Sequence, residues 1–327
     1  LHCYICILYY ILVIQSNGIL LNDRLYIVCH VTVSTMATYL RYESENYFKN
    51  SKGEKERFPS LMDEESVDLS VIVPSYNEEK RLPLMMEEAI LFLEAKCEKS
   101  SNYKYEIIIV DDGSKDSTTK VGQSFVEKYG SEKIRVLTLE KNRGKGGAVR
   151  LGMMSARGEH LLFADADGAT KFSDIEKVET KLNDIDTKPH GRALTVGSRA
   201  HLEKNSIASR SVFRTFLMKC FHLIVWLLCA RSVKDSQCGF KLFTRNAARI
   251  LFHNLHVERW AFDVELLYVA EELNIPIAEV AVTWTEIDGS KVDPLFSGLQ
   301  MGKDIVLLWL QYQLGLWWKN PLHEFFN

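Results

Sequence analysis

Short apolar runs recur along the middle of the chain, each closed by proline, glycine or acidic residues and followed by apolar positions at helical spacing. Leu69-Ser-Val-Ile-Val-Pro74 is the first. After Ser75-Tyr-Asn-Glu-Glu79, Leu82, Met85 or Met86, Ala89 or Ile90 and Leu93 return at intervals of three to four. That succession predicts strand, loop and helix. Tyr105-Glu-Ile-Ile-Ile-Val110 repeats the strand signal, runs into Asp111-Asp-Gly-Ser114 and leads to a helix reaching about Tyr129. Ile134-Arg-Val-Leu-Thr-Leu139 is a third strand, followed by Lys141-Asn-Arg-Gly-Lys-Gly-Gly147 and a helix to about Ala156. His160-Leu-Leu-Phe-Ala164 reads as a fourth, buried strand, and Ile175, Val178, Leu182 and Ile185 line one face of the helix beyond it. Ala193-Leu-Thr-Val-Gly197 reads as a fifth strand.

Strand–loop–helix units in series predict an α/β fold, a mostly parallel sheet with helices on both faces. Ligands of such sheets bind beyond the carboxyl ends of the strands. The loops after Val73, Val110 and Ala164, the three with chemical character, all fall at that edge.

The flanks differ in pattern. Residues 1–35 hold two apolar stretches, the first shorter than the roughly 20 residues of a membrane helix, the second broken by Asn22, Asp23 and Arg24. They read either as a weak N-terminal anchor or as upstream sequence ahead of Met36. Residues 36–68 are polar and of mixed charge, and predict a linker or surface arm with one short helix at most. The domain proper spans 69–292. Within it, 211–230 is a helix rich in Phe, Leu and Trp and flanked by Arg210, Arg214 and Lys219, suited to lying in the interface of an anionic membrane or to a buried core. Residues 293–327 form a second amphipathic segment, where Trp309, Trp317 and Trp318 are of the type found at headgroup depth. Two interface-seeking segments on one domain predict a membrane-surface partner and a lipid substrate.

Composition narrows the class. A 46% hydrophobic share among 327 residues supports a large core, and a formal net charge of −3 argues against a nucleic-acid partner. The 7 cysteines are scattered, with no second close pair to complete a zinc site, which fits reduced thiols facing the cytosol.

The chemistry centres on Phe163-Ala-Asp-Ala-Asp-Gly168. Asp165 and Asp167 share a side if the strand's alternation continues into the turn. Two hard carboxylates so spaced suit Mg²⁺ or Mn²⁺, an ion that can bridge nucleotide phosphates. Lys145, in the glycine-rich loop, can approach a diphosphate.

Val73-Pro-Ser-Tyr-Asn-Glu-Glu79, Val110-Asp-Asp-Gly-Ser114, Asn142-Arg-Gly-Lys-Gly146 and Ala164-Asp-Ala-Asp-Gly168, in this order, resemble the family 2 glycosyltransferases, which have the GT-A nucleotide-sugar-binding fold, a Rossmann-like sheet. Asp165-Ala-Asp-Gly-Ala-Thr-Lys-Phe172, Gly197-Ser-Arg-Ala-His201, Lys234-Asp-Ser-Gln-Cys-Gly-Phe-Lys241 and Glu258-Arg-Trp-Ala-Phe-Asp-Val-Glu-Leu266 resemble the branch that glucosylates dolichyl phosphate. The resemblance covers roughly residues 40–318. It implies inverting transfer of glucose from UDP-glucose to dolichyl phosphate at the endoplasmic reticulum membrane, with the catalytic domain facing the cytosol, for lipid-linked oligosaccharide assembly in N-glycosylation. It further implies that Pro74, Tyr76, Asn77 and Glu78 contact the uracil, that Asp111 or Asp112 holds base or ribose, and that Asp165 and Asp167 position ribose and metal.

Arg199, Arg210 and Lys241 are the candidate clamps for the acceptor phosphate, since cations meet phosphate well. Asp235 and Asp263 sit in the same motifs without an assignable role, and Trp260 is open between sugar pocket and core. The close rival is a dolichyl- or polyprenyl-phosphate mannosyltransferase using GDP-mannose. Against it stands Gly168-Ala-Thr-Lys171, a continuation of the glucosyl type. A processive polysaccharide synthase lacks support without many long apolar spans. A non-catalytic nucleotide-binding module would rest on Gly144-x-Gly146 alone, without the third glycine of the dinucleotide fingerprint.

Overall fold

The computed structural model describes residues 40–186, 191–202, 223–287, 294–317 and 319, with the backbone alone for 294–299. The stretch 1–35, Arg210, Trp318 and positions 211–222 of the expected interfacial helix lie outside the described residues.

The polar stretch ahead of the domain is built into the fold. Tyr47–Lys49 (β1) pairs antiparallel with Lys55–Arg57 (β2) after a 3-10 turn over Glu43–Asn46. Asn50 closes the hairpin, its Oδ1 accepting from the Lys52 and Glu54 amides at 2.9 and 3.0 Å. Phe48, Phe58 and Leu61 enter the main core. The buried Arg135 guanidinium lies 5.4 and 5.6 Å from the Phe48 and Phe58 ring centres. Of the two expectations over 36–68, a linker or a surface arm with one short helix at most, the described residues from 40 onward form an arm, and it carries a β-hairpin as well as the 3-10 turn. Its apolar anchors are too few and too widely spaced to register as a period, and their partner is remote in sequence.

Strands β3 (Val67–Ser75), β4 (Tyr105–Asp111), β5 (Ile134–Thr138), β6 (Gly158–Ala164), β7 (Leu194–Ser198), β8 (Phe240–Thr244) and β9 (Ile277–Ala281) form one sheet. Its order is β5-β4-β3-β6-β8-β7-β9. The pairs β3/β4, β3/β6, β4/β5 and β7/β9 are parallel, and β8 runs antiparallel to β6 and β7. The sheet is therefore mostly parallel, with one reversed strand. Every residue of β4 is buried, as a central strand covered on both faces requires.

Helices α1 (Leu82–Lys99), α2 (Thr118–Tyr129) and α4 (Ile175–Ile185) send their apolar residues into one core layer. Helices α3 (Lys145–Met153), α5 (Arg245–His253), α6 (Phe262–Glu272) and α7 (Pro294–Gln313) cover the opposite face. In α4, Ile175, Val178 and Leu182 are buried at positions i, i+3 and i+7, the face expected from their spacing. Because β4 and β6 flank β3, the strand order reverses there, the point beyond the carboxyl ends at which open sheets of this kind form their ligand crevice.

No helix among the described residues is long and apolar enough to cross a membrane. Residues 223–228 are helical, and Leu223, Trp226 and Leu227 are 60%, 53% and 56% exposed. Helix α7 is two-faced: Ile305, Leu308 and Tyr312 are buried, whereas Val306, Leu307 and Leu310 are exposed. Trp309 and Trp317 pack against the core, and the Trp317 ring stacks on His256 with centres 4.4 Å apart. The expectation of headgroup depth is corrected for these two: Trp309 of α7 and Trp317 beyond its end are partly buried against the domain, and the exposed large apolar residues of α7 among those described, Val306, Leu307 and Leu310, are aliphatic.

Candidate active site

The loops after β3 and β4 are laced together. The Asn77 amide donates to Ser114 Oγ at 2.8 Å, the Glu78 amide to Thr118 Oγ1 at 2.8 Å, and the Lys115 amide to Asn77 Oδ1 at 2.7 Å. Asn77 has φ 55, a left-handed conformation that asparagine tolerates better than most residues. Pro74 pairs with Val110 one residue before β3 ends, and Tyr76, just past that end, is 37% exposed. Glu78 is engaged: Arg81 donates Nε and Nη2 to its two oxygens at 2.6 and 2.5 Å. Sequence reading passed over Arg81, although Glu78-x-x-Arg81 is a one-turn ion-pair spacing. Arg81 also feels the charges of Asp167 and Asp165, and its guanidinium is held above its usual value chiefly by the Glu78 bond.

Asp111 and Asp112 are both buried, and both spend their carboxylates within the loops. Asp111 Oδ1 accepts from the Ser114 amide at 2.9 Å, and Oδ2 meets the Thr119 hydroxyl. Asp112 holds the glycine-rich loop through Asn142 Nδ2 at 2.9 Å and the amides of Arg143 and Gly144 at 2.7 and 2.8 Å. Burial pushes the Asp112 carboxyl up to about 6, against the pull of those amides. The adjacent acidic residues thus shape the floor of the crevice. Gly144, at φ 88, takes the conformation that starts α3, where a Cβ would meet the Glu258 carbonyl at 2.9 Å.

Lys145, the first residue of α3, reaches across to the acidic turn, its Nζ 2.7 Å from Asp165 Oδ1. Burial opposes its charge, but Asp165, Asp263 and Asp167 together hold the ammonium above its ordinary value. Asp167 Oδ1 accepts the Ala169 amide at 3.0 Å. Its carboxyl is raised, first by burial and then by the charge of Asp165. Gly239 lies against Asp165, and a Cβ there would overlap the carboxylate. Hard oxygens, a like-charge pair and the 35% exposure of the Asp165 side chain suit a divalent cation. Among the described residues no group of three or more His, Cys, Asp or Glu is gathered to hold a metal. The pair would therefore share an ion with phosphate oxygens and water, as Mg²⁺ sites commonly do.

The expected phosphate clamps are separated. Lys241 is fully buried, donating to Asp263 Oδ1 at 2.5 Å and the Cys238 carbonyl at 2.7 Å. Its place as a clamp is corrected: it sits on the central part of the sheet, which turns the ammonium into the protein. Arg199 stays 33% exposed, with Nε and Nη2 on the two oxygens of Asp235 at 2.8 and 2.9 Å. Asp235 and Asp263, without a role from spacing, are thus the counter-ions of these two cations. Trp260 is 49% exposed, which excludes the core alternative.

The model of glycosyl transferase family 2 matches residues 70–251. The chain belongs to that family. Among its relatives, the human dolichyl-phosphate beta-glucosyltransferase is 58% identical over 291 residues, 89% of this chain and 90% of that protein. The Saccharomyces cerevisiae protein of the same name is 44% identical over 270 residues, 79% of each chain. In fold, this glycosyltransferase is similar to glucosyl-3-phosphoglycerate synthase from Mycobacterium tuberculosis, solved with Mg²⁺ and UDP. The TM-score is 0.50 at 16% identity, over 76% of this chain and 80% of that one.

Proposed function

We propose that this glycosyltransferase moves glucose from UDP-glucose to dolichyl phosphate, giving dolichyl β-glucosyl phosphate. The observation that carries the reading is the meeting of the loops after β3, β4 and β6 with Lys145 at one edge of the sheet, in a chain whose relatives bear that name. Those relatives, with Gly168-Ala-Thr-Lys171, leave the GDP-mannose alternative without support. In this reading Tyr76 stacks on the uracil from the rim. Asp111 and Asp112 act by holding the loops rather than by touching the nucleotide. Lys145 turns from Asp165 to the diphosphate, and Arg199, oriented by Asp235, takes the acceptor phosphate.

A phosphate monoester has a second pKa of about 6, so the acceptor is already largely anionic at neutral pH and needs orientation rather than a strong base. A divalent cation shared by Asp165, Asp167 and the diphosphate would supply Lewis-acid stabilisation of the departing UDP. The exposed Leu223, Trp226, Leu227, Leu307 and Leu310 are the surface proposed to enter the cytosolic leaflet of the endoplasmic reticulum, where the lipid acceptor is presented.

Product analysis tests the stereochemistry. Direct displacement from the α-linked donor is expected to give β-linked glucose by NMR coupling, and an α-linked product would overturn it. Trp226→Ser with Leu227→Ser is expected to cut sedimentation with anionic vesicles several-fold; unchanged sedimentation would take Trp226 and Leu227 out of the membrane contact.

Asp112 gives a pH dependence. Below about 6 its carboxyl takes up a proton and accepts the loop amides less strongly. UDP-glucose binding, measured without acceptor, is expected to weaken from pH 7 to pH 5 with a midpoint near 6. The stability contribution of this group runs the other way. A carboxyl raised from 3.8 to about 6 binds its proton more tightly when folded, so it favours folding at low pH and loses that contribution as pH rises through 6. Binding that stays flat from pH 7 to pH 5 would dismiss Asp112 as the determinant.

A further inference from the structure

A charged cluster outside the chemistry described so far joins the N-terminal arm to the glycine-rich loop. Glu45 is fully buried. Its Oε2 accepts from the Tyr42 amide and from Arg143 Nη2, each at 3.0 Å, and its Oε1 accepts from the Glu140 amide at 3.1 Å. Arg143 Nη1 donates to the Leu40 carbonyl, and the Arg143 side chain is only 8% exposed. Arg41 fastens the arm from behind. Its Nε and Nη2 donate to the Glu45 carbonyl at 3.1 and 2.7 Å, and Nη2 reaches Ser155 Oγ at 2.8 Å, just past α3. The Tyr42 ring covers the loop, 5.4 Å from Lys141 Nζ and 5.4 Å from the Arg143 guanidinium.

Arg143 is thereby held at both ends. Residues 40–45 grip its side chain, and Asp112 takes its backbone amide at 2.7 Å. Two residues further on, Lys145 crosses to Asp165. A buried carboxylate–guanidinium pair is a weak source of net stability, because desolvation consumes most of its Coulombic gain. Its value here is geometric: it fixes one register of the loop, with Lys145 aimed at the acidic turn.

We infer that Glu45 is a positioning residue for the nucleotide-sugar diphosphate, acting through Arg143 on the loop that presents Lys145. This rests on the reading of the crevice as the UDP-glucose site. The arm is then a working part of the donor site, although it lies 100 residues before Lys145 in the sequence. A strap that sets the aim of one cation affects donor binding and leaves acceptor binding alone.

The test uses Glu45→Gln, Arg143→Met and the double variant in the full chain, with Glu43→Gln as a control on the exposed side of the arm. Misplacing a substrate-positioning group typically costs about 10-fold to 100-fold. Each single variant is expected to raise the KM for UDP-glucose about 10-fold and to weaken calorimetric UDP binding similarly. The KM for dolichyl phosphate is expected to stay at its wild-type value, whereas each single variant strands a buried member of the pair and is expected to lower the melting temperature, the double variant less so. The double variant should lose no more than either single one, since the two residues act as a unit. Glu43→Gln should match the wild type.

If Glu45→Gln does not fold, Arg143→Met carries the same test from the loop side. Unchanged UDP-glucose KM and UDP affinity in the variants would overturn the proposal. So would a uniform loss for both substrates in step with the melting temperature, which is the signature of a purely structural pair. A wild-type protein that transfers no glucose would instead remove the functional reading beneath it.

Discussion

Asp167→Ala is expected to lower kcat at least about 100-fold and to leave the fold intact. Lewis-acid stabilisation of a leaving diphosphate is worth several kcal/mol, and each 1.4 kcal/mol of barrier is about tenfold in rate. The structural cost is small by comparison. Asp167 lies on a turn outside the sheet and accepts the Ala169 amide, a bond worth about 1 kcal/mol. Asp165→Ala is a less clean experiment, because it also strips Lys145 of the carboxylate that faces it at 2.7 Å. Single-turnover rates beside thermal melts make the comparison. A rate within a few-fold of wild type would take Asp167 out of the diphosphate and metal site.

Lys241→Met is expected to destabilise the fold by about 3–5 kcal/mol, the usual cost of stranding one member of a buried ion pair. Asp263 would be left fully buried, and burial already raises its carboxyl above the ordinary value even with Lys241 beside it. Adding Asp263→Leu removes the stranded charge and is expected to recover most of the loss, since an apolar replacement of such a pair is often neutral. Denaturant midpoints of the wild type, both singles and the double variant measure this coupling. The same cycle decides where Lys241 acts. A Lys241→Met protein of wild-type stability with a raised KM for dolichyl phosphate would restore it as a phosphate clamp.

The sheet was legible where strands are continuous apolar runs closed by turn residues. Leu69–Val73 and Tyr105–Val110 could be read directly because both of their faces are buried. Strand β8 was not, because Lys241 interrupts Phe240, Leu242 and Phe243, and a lysine in a core strand makes sense only once Asp263 is seen beside it. Strand β9 escaped because Ile277–Ala281 is only partly buried at the sheet edge, so no apolar face is marked.

The same limit applies to the site. Asp165, Asp167 and Lys145 were found from charge type and loop position, and Lys145 and Asp165 do meet. The roles of Asp112, Glu45 and Asp235 depend on partners 31, 98 and 36 positions away, which no local spacing encodes. Motif position could nominate Arg199 and Lys241 equally. Burial separates them, one at the rim and one in the core.

The central claim is tested most directly by a transfer assay with vesicles containing dolichyl phosphate, in which radiolabelled UDP-glucose and GDP-mannose are compared with and without EDTA. The account predicts label in the lipid extract from UDP-glucose alone, lost on chelation and restored by Mg²⁺ or Mn²⁺. Lipid label from GDP-mannose in place of UDP-glucose, or glucose transfer indifferent to EDTA, would contradict it.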